Sequence, residues 1–129
     1  MTKLSVIHKQ YTQALKKLEE ILERPENDVV RDSAIKRFEF CFDLAWKLVK
    51  ELLADKKGIL CASPKDCFRQ AYKAGLIKYD QMWLLMTNWR NEAVHTYSEK
   101  FARELYKKLP GTLKCFRDLQ KCLKTRPGP

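Results

Sequence analysis

The sequence predicts an all-α fold: an up-and-down four-helix bundle with one additional short helix. Three observations carry that expectation. Apolar residues recur at steps of three and four along nearly all of the 129 residues. No stretch shows the strict apolar–polar alternation of a half-buried strand. Four glycines and five prolines are too few for the many tight turns of an all-β chain.

The elements follow in order. From about Lys3 to Arg24, the residues Leu4, Ile7, Tyr11, Ala14/Leu15, Leu18 and Ile21/Leu22 form one apolar stripe of an amphipathic helix. Arg24-Pro25 ends it, because the residue before proline is pushed out of the α region. A second helix starts near Asn27/Asp28, both good N-cap residues, and runs to about Lys57, with Gly58 placed to terminate it. It carries two stripes: Ala34, Phe38, Cys41/Phe42, Ala45, Val49 and Leu52/Leu53, and beside them Phe40, Leu44 and Leu48. A helix apolar over so much of its circumference is either central in a bundle or partly in a subunit interface.

Ser63-Pro64-Lys65-Asp66 supplies a cap, a proline at the first helical position and an acid at the third, so a short helix begins there and ends at Ala74-Gly75. Asp80 can cap the next helix, which passes through Met82, Trp83, Leu85, Met86, Trp89 and Ala93; Trp83 and Trp89 are expected to form an exposed region that a twofold dimer buries. Thr96-Tyr97-Ser98-Glu99 matches a T-x-x-E capping box, opening a last helix through Phe101, Leu105, Leu109, Leu113, Phe116, Leu119 and Leu123. Pro110-Gly111 predicts a kink or short break near Leu109. Residues 1–124 read as one domain, and the tail 125–129 as frayed or disordered. Short loops imply antiparallel neighbours.

Composition narrows the function classes. No apolar run approaches the ~18 residues of a membrane span, and the N-terminus has no signal-peptide pattern; the expectation is a cytoplasmic protein with no membrane partner. The five cysteines, Cys41, Cys61, Cys67, Cys115 and Cys122, are odd in number and show no C-x-x-C spacing. Most fall on apolar helix positions, where a thiol serves as a small hydrophobe. With two histidines in the chain, neither a structural disulfide, nor a metal, nor a cofactor is expected. A net charge of +10 permits an RNA or other phosphate-bearing partner without deciding for one.

There is no glycine-rich phosphate loop and no H-E-x-x-H or G-x-S-x-G. What remains is "WRNEAVHTYSE", Trp89 to Glu99. Arg90 and His95 are five residues apart, ~140° of helical rotation, so two copies around a twofold would present them to a shared cleft better than one. An imidazole can take or give a proton at neutral pH. A guanidinium can clamp phosphate oxygens. Asn91 can position either group. Such a set suits metal-free RNA cleavage, with the substrate's 2′-hydroxyl as nucleophile. On the residues alone the plainer alternative is preferred: Arg90 neutralises a helix C-terminus, His95 is a partly buried histidine bonded to a carbonyl, and Tyr97 packs under the last helix.

The stretch resembles the R-x4-H motif of HEPN domains in its extended R-x4-H-x-Y form. "RFEFCFDLAWKLVKELL" from Arg37 and "SPKDCFRQAYKAGLI" from Ser63 resemble two further segments of the nucleotidyltransferase substrate-binding protein family, at the expected separations. The resemblance covers nearly the whole chain. It implies a four-helix bundle that forms a homodimer with the motifs facing a shared cleft. It further implies a toxin of a toxin–antitoxin pair, a metal-independent endoribonuclease acting on RNA rather than DNA. Carried over, Arg90 and His95 are the catalytic pair, Asn91 supports them, and Tyr97 is adenylylated by a cognate minimal nucleotidyltransferase acting as antitoxin. The alternative is a non-catalytic substrate-binding subunit of a two-component nucleotidyltransferase.

Overall fold

A computed structural model describes residues 2–96 and 98–124, the side chains of residues 123 and 124 excepted. The expectations for Tyr97 and for the tail 125–129 lie outside the described residues. Five helices follow one another: α1 (Lys3–Leu22), α2 (Asp28–Lys57), α3 (Pro64–Lys73), α4 (Met82–His95) and α5 (Glu99–Lys124). No strand occurs among the described residues.

The predicted helix signals act locally. The Asn27 side chain accepts from the Val30 N–H at 2.8 Å, and Gly58 closes α2 in the left-handed region at φ 64°, where a Cβ would add strain. Ser63 accepts from the Asp66 N–H at 3.3 Å, and the Asp66 carboxylate accepts from the Ala62 N–H at 2.9 Å. Asp80 accepts from the Met82 N–H at 2.9 Å, but from one residue before the N-cap, which is Gln81 and not Asp80 as expected. The T-x-x-E expectation is corrected: Thr96 is the C-cap of α4, and it is the Ser98 hydroxyl that accepts from the Phe101 N–H at the start of α5.

Two further expectations give way. α5 is one helix through Pro110, so of the expected kink or break near Leu109 it is the break that is corrected. Proline there removes one hydrogen bond from the ladder, while Leu105, Leu109, Cys115, Phe116 and Leu119 on both sides of it are buried in one core, which holds both halves to one face. A disulfide joins Cys61 and Cys67, whose Cα atoms are 5.1 Å apart. The absence of C-x-x-C spacing misled because the capping turn at Ser63 folds the chain back, bringing Cys61 against the first turn of α3. Cys41, Cys115 and Cys122 are in no disulfide.

α2 is the central helix, in contact with each of the other four. Lys3 pairs with Glu51, and Arg37 donates to the Lys17 carbonyl, so α1 and α2 run antiparallel. Lys108 lies over the Trp89 ring and Trp83 meets Phe116, so α4 and α5 do too. The core is one cluster of buried residues. Its centre is a closed chain of rings, Phe116–Phe38–Phe42–Phe68–Trp83–Phe116, with successive centroids 4.5–6.4 Å apart. Four helices are thereby tied to one another, and Tyr11 of α1 joins by its ring against Phe116 and by donating to the Phe116 carbonyl at 2.7 Å. Burial pushes the Tyr11 hydroxyl well above its ordinary pKa, so it stays a donor.

Candidate functional site at the end of α4

α4 packs its Trp83, Met86 and Thr87 side into the core and leaves Asn88, Asn91, Glu92 and His95 exposed. Arg90 continues the core-facing side of the helix, two turns after Trp83, and reaches α2. Its Nε donates to Asp43 Oδ1 at 2.9 Å and its Nη2 to Asp43 Oδ2 at 3.3 Å. The two side chains are 30% and 29% exposed. Nη1 donates to Asn91 Oδ1 at 3.3 Å. The carboxylate therefore holds the side-on edge of the guanidinium, and Asn91 holds one proton of Nη1. The end-on edge, between Nη1 and Nη2, keeps donors for a further oxyanion.

Arg90 and His95 stand ~140° apart around α4. Asn91 precedes His95 by four residues and shares its face of α4. Through its Nη1 bond to Asn91 the guanidinium touches one residue of the histidine face. His95 is the last residue of α4 and is exposed. The plainer alternative of a partly buried, satisfied histidine is therefore corrected, and so is that of Arg90 as a helix-end cation: its partner is a carboxylate of another helix.

Sequence reasoning missed Asp43 and its neighbour Glu39. Glu39 lies one turn before Asp43 on α2, with a side chain only 12% exposed. Burial raises its carboxyl above the ordinary carboxylate range; Lys36 and Arg90 oppose the rise and Asp43 adds to it. The available signal was two acids at i and i+4 inside the helix that carries two apolar stripes. Among the described residues, no group of three or more His, Cys, Asp or Glu is placed to hold a metal ion.

The expectation of an exposed Trp83/Trp89 region is also corrected. Trp83 is 4% exposed and stacks on Phe68 at 4.5 Å. Trp89 is half-buried under the Lys108 ammonium, 5.1 Å from its centroid. The wide apolar surface of α2 is covered mostly by α1, α3, α4 and α5, leaving Val29 at its start and Phe40 exposed. No helix among the described residues is long and apolar enough to cross a membrane.

The sequence model of the family described as nucleotidyltransferase substrate binding protein like matches residues 7–125. A Haemophilus influenzae protein described as a probable ribonuclease HepT is 31% identical over 83 residues, 61% of this chain. The match spans 57% of that relative's own length. A crystal structure of a Thermus thermophilus protein superposes with a TM-score of 0.81 at 33% identity, covering 88% of this chain and 98% of that one.

Proposed function

The chain belongs to the nucleotidyltransferase substrate-binding protein family, and from that premise we propose that it is a metal-independent endoribonuclease, the toxin of a toxin–antitoxin pair. The observation that carries the reading is the presentation of Arg90. Its side-on edge is fixed by Asp43, it leans onto Asn91, and an exposed His95 stands one turn further along the Asn91 face. The printed description of the Haemophilus influenzae relative as a probable ribonuclease supports the same class of activity.

In this reading His95 takes the proton of a substrate 2′-hydroxyl as its oxygen attacks the adjacent phosphorus. The bond from phosphorus to the 5′-oxygen breaks. That oxygen receives a proton from the His95 of a second copy across a twofold cleft. The free edge of Arg90 stabilises the charge that builds on the phosphoryl oxygens. The nucleophile is the substrate's own hydroxyl, so no metal-bound water is required. Residues 1–124 act as one HEPN-like unit in the cytoplasm. A cognate minimal nucleotidyltransferase silences it by adenylylating Tyr97, which adds negative charge at the motif.

Purified protein incubated with RNA and chelator tests the chemistry. The expected products carry 2′,3′-cyclic phosphate and 5′-hydroxyl ends, and RNA lacking the target 2′-hydroxyl resists. Absence of cleavage by folded wild-type protein sinks the reading. Intact mass after incubation with partner enzyme, ATP and magnesium tests Tyr97; a gain that persists in Tyr97→Phe counts against it.

One observation favours a second reading. Arg90 already holds a carboxylate, as a purely structural arginine does. The protein would then be a binding subunit that presents a substrate to its nucleotidyltransferase. Expression alone separates the two: a toxin arrests growth and its Arg90→Ala variant does not, whereas a binding subunit is harmless in both forms.

A further inference from the structure

The junction between α3 and α4 carries a second surface, away from Arg90. Tyr72 in the last turn of α3 is 49% exposed, and Tyr79 just before α4 is 64% exposed. Their rings meet edge-on with centroids 5.2 Å apart. With Phe68, Ile77, Trp83 and Leu84 they line a largely apolar cavity of about 120 Å³. Arg69, Lys73 and Lys78 stand on its rim and are exposed. Among the described residues, none of the three takes part in an ion pair. The one carboxylate of the lining, Asp80, is engaged by the Met82 N–H and the Cys115 thiol.

Open aromatic faces among exposed cations suit a strand whose bases stack and whose phosphates seek positive charge. A duplex hides its base faces and would use the cations alone. The placement on α4 adds direction. Leu84 of the cavity begins a ridge that continues through Asn88, Asn91 and His95, at steps of four, three and four. These positions fall within about 60° of one another around the helix. Asn88, Asn91 and His95 are exposed. From Leu84 to His95 the ridge is about 16 Å long, some five nucleotides at a stacked spacing of ~3.4 Å.

We propose that Tyr72 and Tyr79, flanked by Arg69, Lys73 and Lys78, form a docking surface for single-stranded RNA that leads the strand along the Leu84–His95 ridge to the Arg90/His95 site. The role in catalysis rests on the ribonuclease reading; the binding itself does not.

The probe is a fluorescein-labelled, fully 2′-O-methyl single strand of about twelve nucleotides, which cannot be cut by 2′-hydroxyl attack, at one fixed salt concentration. Anisotropy with wild-type protein should saturate. Tyr72→Ala/Tyr79→Ala should weaken binding at least tenfold with the melting temperature unchanged, since both rings are exposed. Tyr72→Phe/Tyr79→Phe should restore it, because the ring stacks and the hydroxyl does not. Arg69→Glu/Lys73→Glu should weaken it and flatten its salt dependence. The double alanine variant should raise KM for a long unmodified RNA and leave cleavage of a dinucleotide untouched. No saturable binding by wild type overturns the proposal, as does equal binding by the double alanine variant or a duplex bound as tightly and as Tyr-dependently as the single strand. Loss of binding in the alanine variant, in a protein that cleaves nothing, retains the surface and sinks only the ribonuclease reading. Cleavage of long RNA at an unchanged KM does the reverse.

Discussion

Arg31 and Arg90 are both arginines forked onto carboxylates from α2 or its approach, yet they are built for different ends. The Arg31 side chain is 10% exposed. Its Nε and Nη2 donate to Glu26 and its Nη1 to Asp28, two carboxylates within five positions of it. It closes the turn that opens α2. The Arg90 side chain is 30% exposed, its carboxylate comes from 47 residues away, and its third contact is a neutral amide. Both use the same three nitrogens, but Arg31 is buried between two carboxylates of its own turn, whereas Arg90 meets one carboxylate and a neutral amide and keeps its Nη1–Nη2 edge towards solvent. A guanidinium buried between carboxylates has nothing to offer a phosphate; one clamped on a single edge is pre-aimed.

The largest expected effects come from exchanging the fates of these two residues. Arg90→Ala should lower kcat/KM for RNA cleavage by about 10²–10³ with little change in melting temperature. Arg90→Lys should be nearly as poor, since an ammonium cannot keep the Asp43 fork and a phosphate contact at once. His95→Ala should match Arg90→Ala and erase the pH dependence that a proton-transferring imidazole imposes. Arg31→Ala should do the opposite: unchanged kcat, and a loss of stability visible as a melting temperature lower by a few degrees. Calorimetry and initial rates on the same preparations decide. If Arg90→Ala costs the stability and Arg31→Ala does not, the comparison collapses.

A smaller effect separates holding Arg90 from merely tolerating it. Asp43→Asn keeps the shape of the fork and removes the charge. With the competing anion gone, the guanidinium should bind phosphate more tightly but from a less fixed position. KM and kcat should then fall together, each by about three- to tenfold. A carboxylate with only a stabilising role would leave both constants alone. The shared cleft has its own test. Leu85 and Val94 leave 39% and 47% of their surface exposed on α4, near His95 in the case of Val94. Val94→Glu should shift a light-scattering dimer of the ~15 kDa chain towards monomer and reduce cleavage in proportion. A wild-type monomer, stable across dilution, removes the composite cleft.

The helices were legible because their signals are local. Asn27, Gly58, Ser63 and Asp80 each act on N–H or carbonyl groups within a few residues, and the α2 stripe from Ala34 to Leu53 is the stripe that is buried. Arg90, Asn91 and His95 were legible as types and spacing, but not as an arrangement. Asp43 completes that arrangement from another helix, and only packing brings it there. Trp83 was misread for the same reason. Its stacking on Phe68 is a tertiary contact, so its composition suggested an exposed patch where the fold makes a core. The Cys61–Cys67 pair was missed because a turn, rather than a motif spacing, brings the two residues together. The Ser98 cap was missed because T-x-x-E and the hydroxyl two residues later compete for the same helix start, and the sequence does not rank them.

The smallest expected effect concerns Glu39, the acid that sits beside the Arg90–Asp43 pair without bonding to it. Burial raises its carboxyl above the ordinary value of 4.5, with Lys36 and Arg90 opposing. A carboxyl whose pKa is higher in the folded than in the unfolded chain binds its proton more tightly when folded. Its contribution therefore falls as pH rises from about the unfolded value through the folded one. At neutral pH the ionised Glu39 is a modest burden on the fold. Glu39→Gln should accordingly raise the melting temperature at pH 7, and the gain should vanish as pH drops below ~4, where wild-type Glu39 is protonated in both states. The sign discriminates between two roles. A gain at neutral pH means that Arg90 answers to Asp43 alone, as the fork geometry implies. A loss there means that Glu39 is a second counter-charge for Arg90, in which case the guanidinium is more nearly saturated, and its difference from Arg31 is smaller than the open edge suggests.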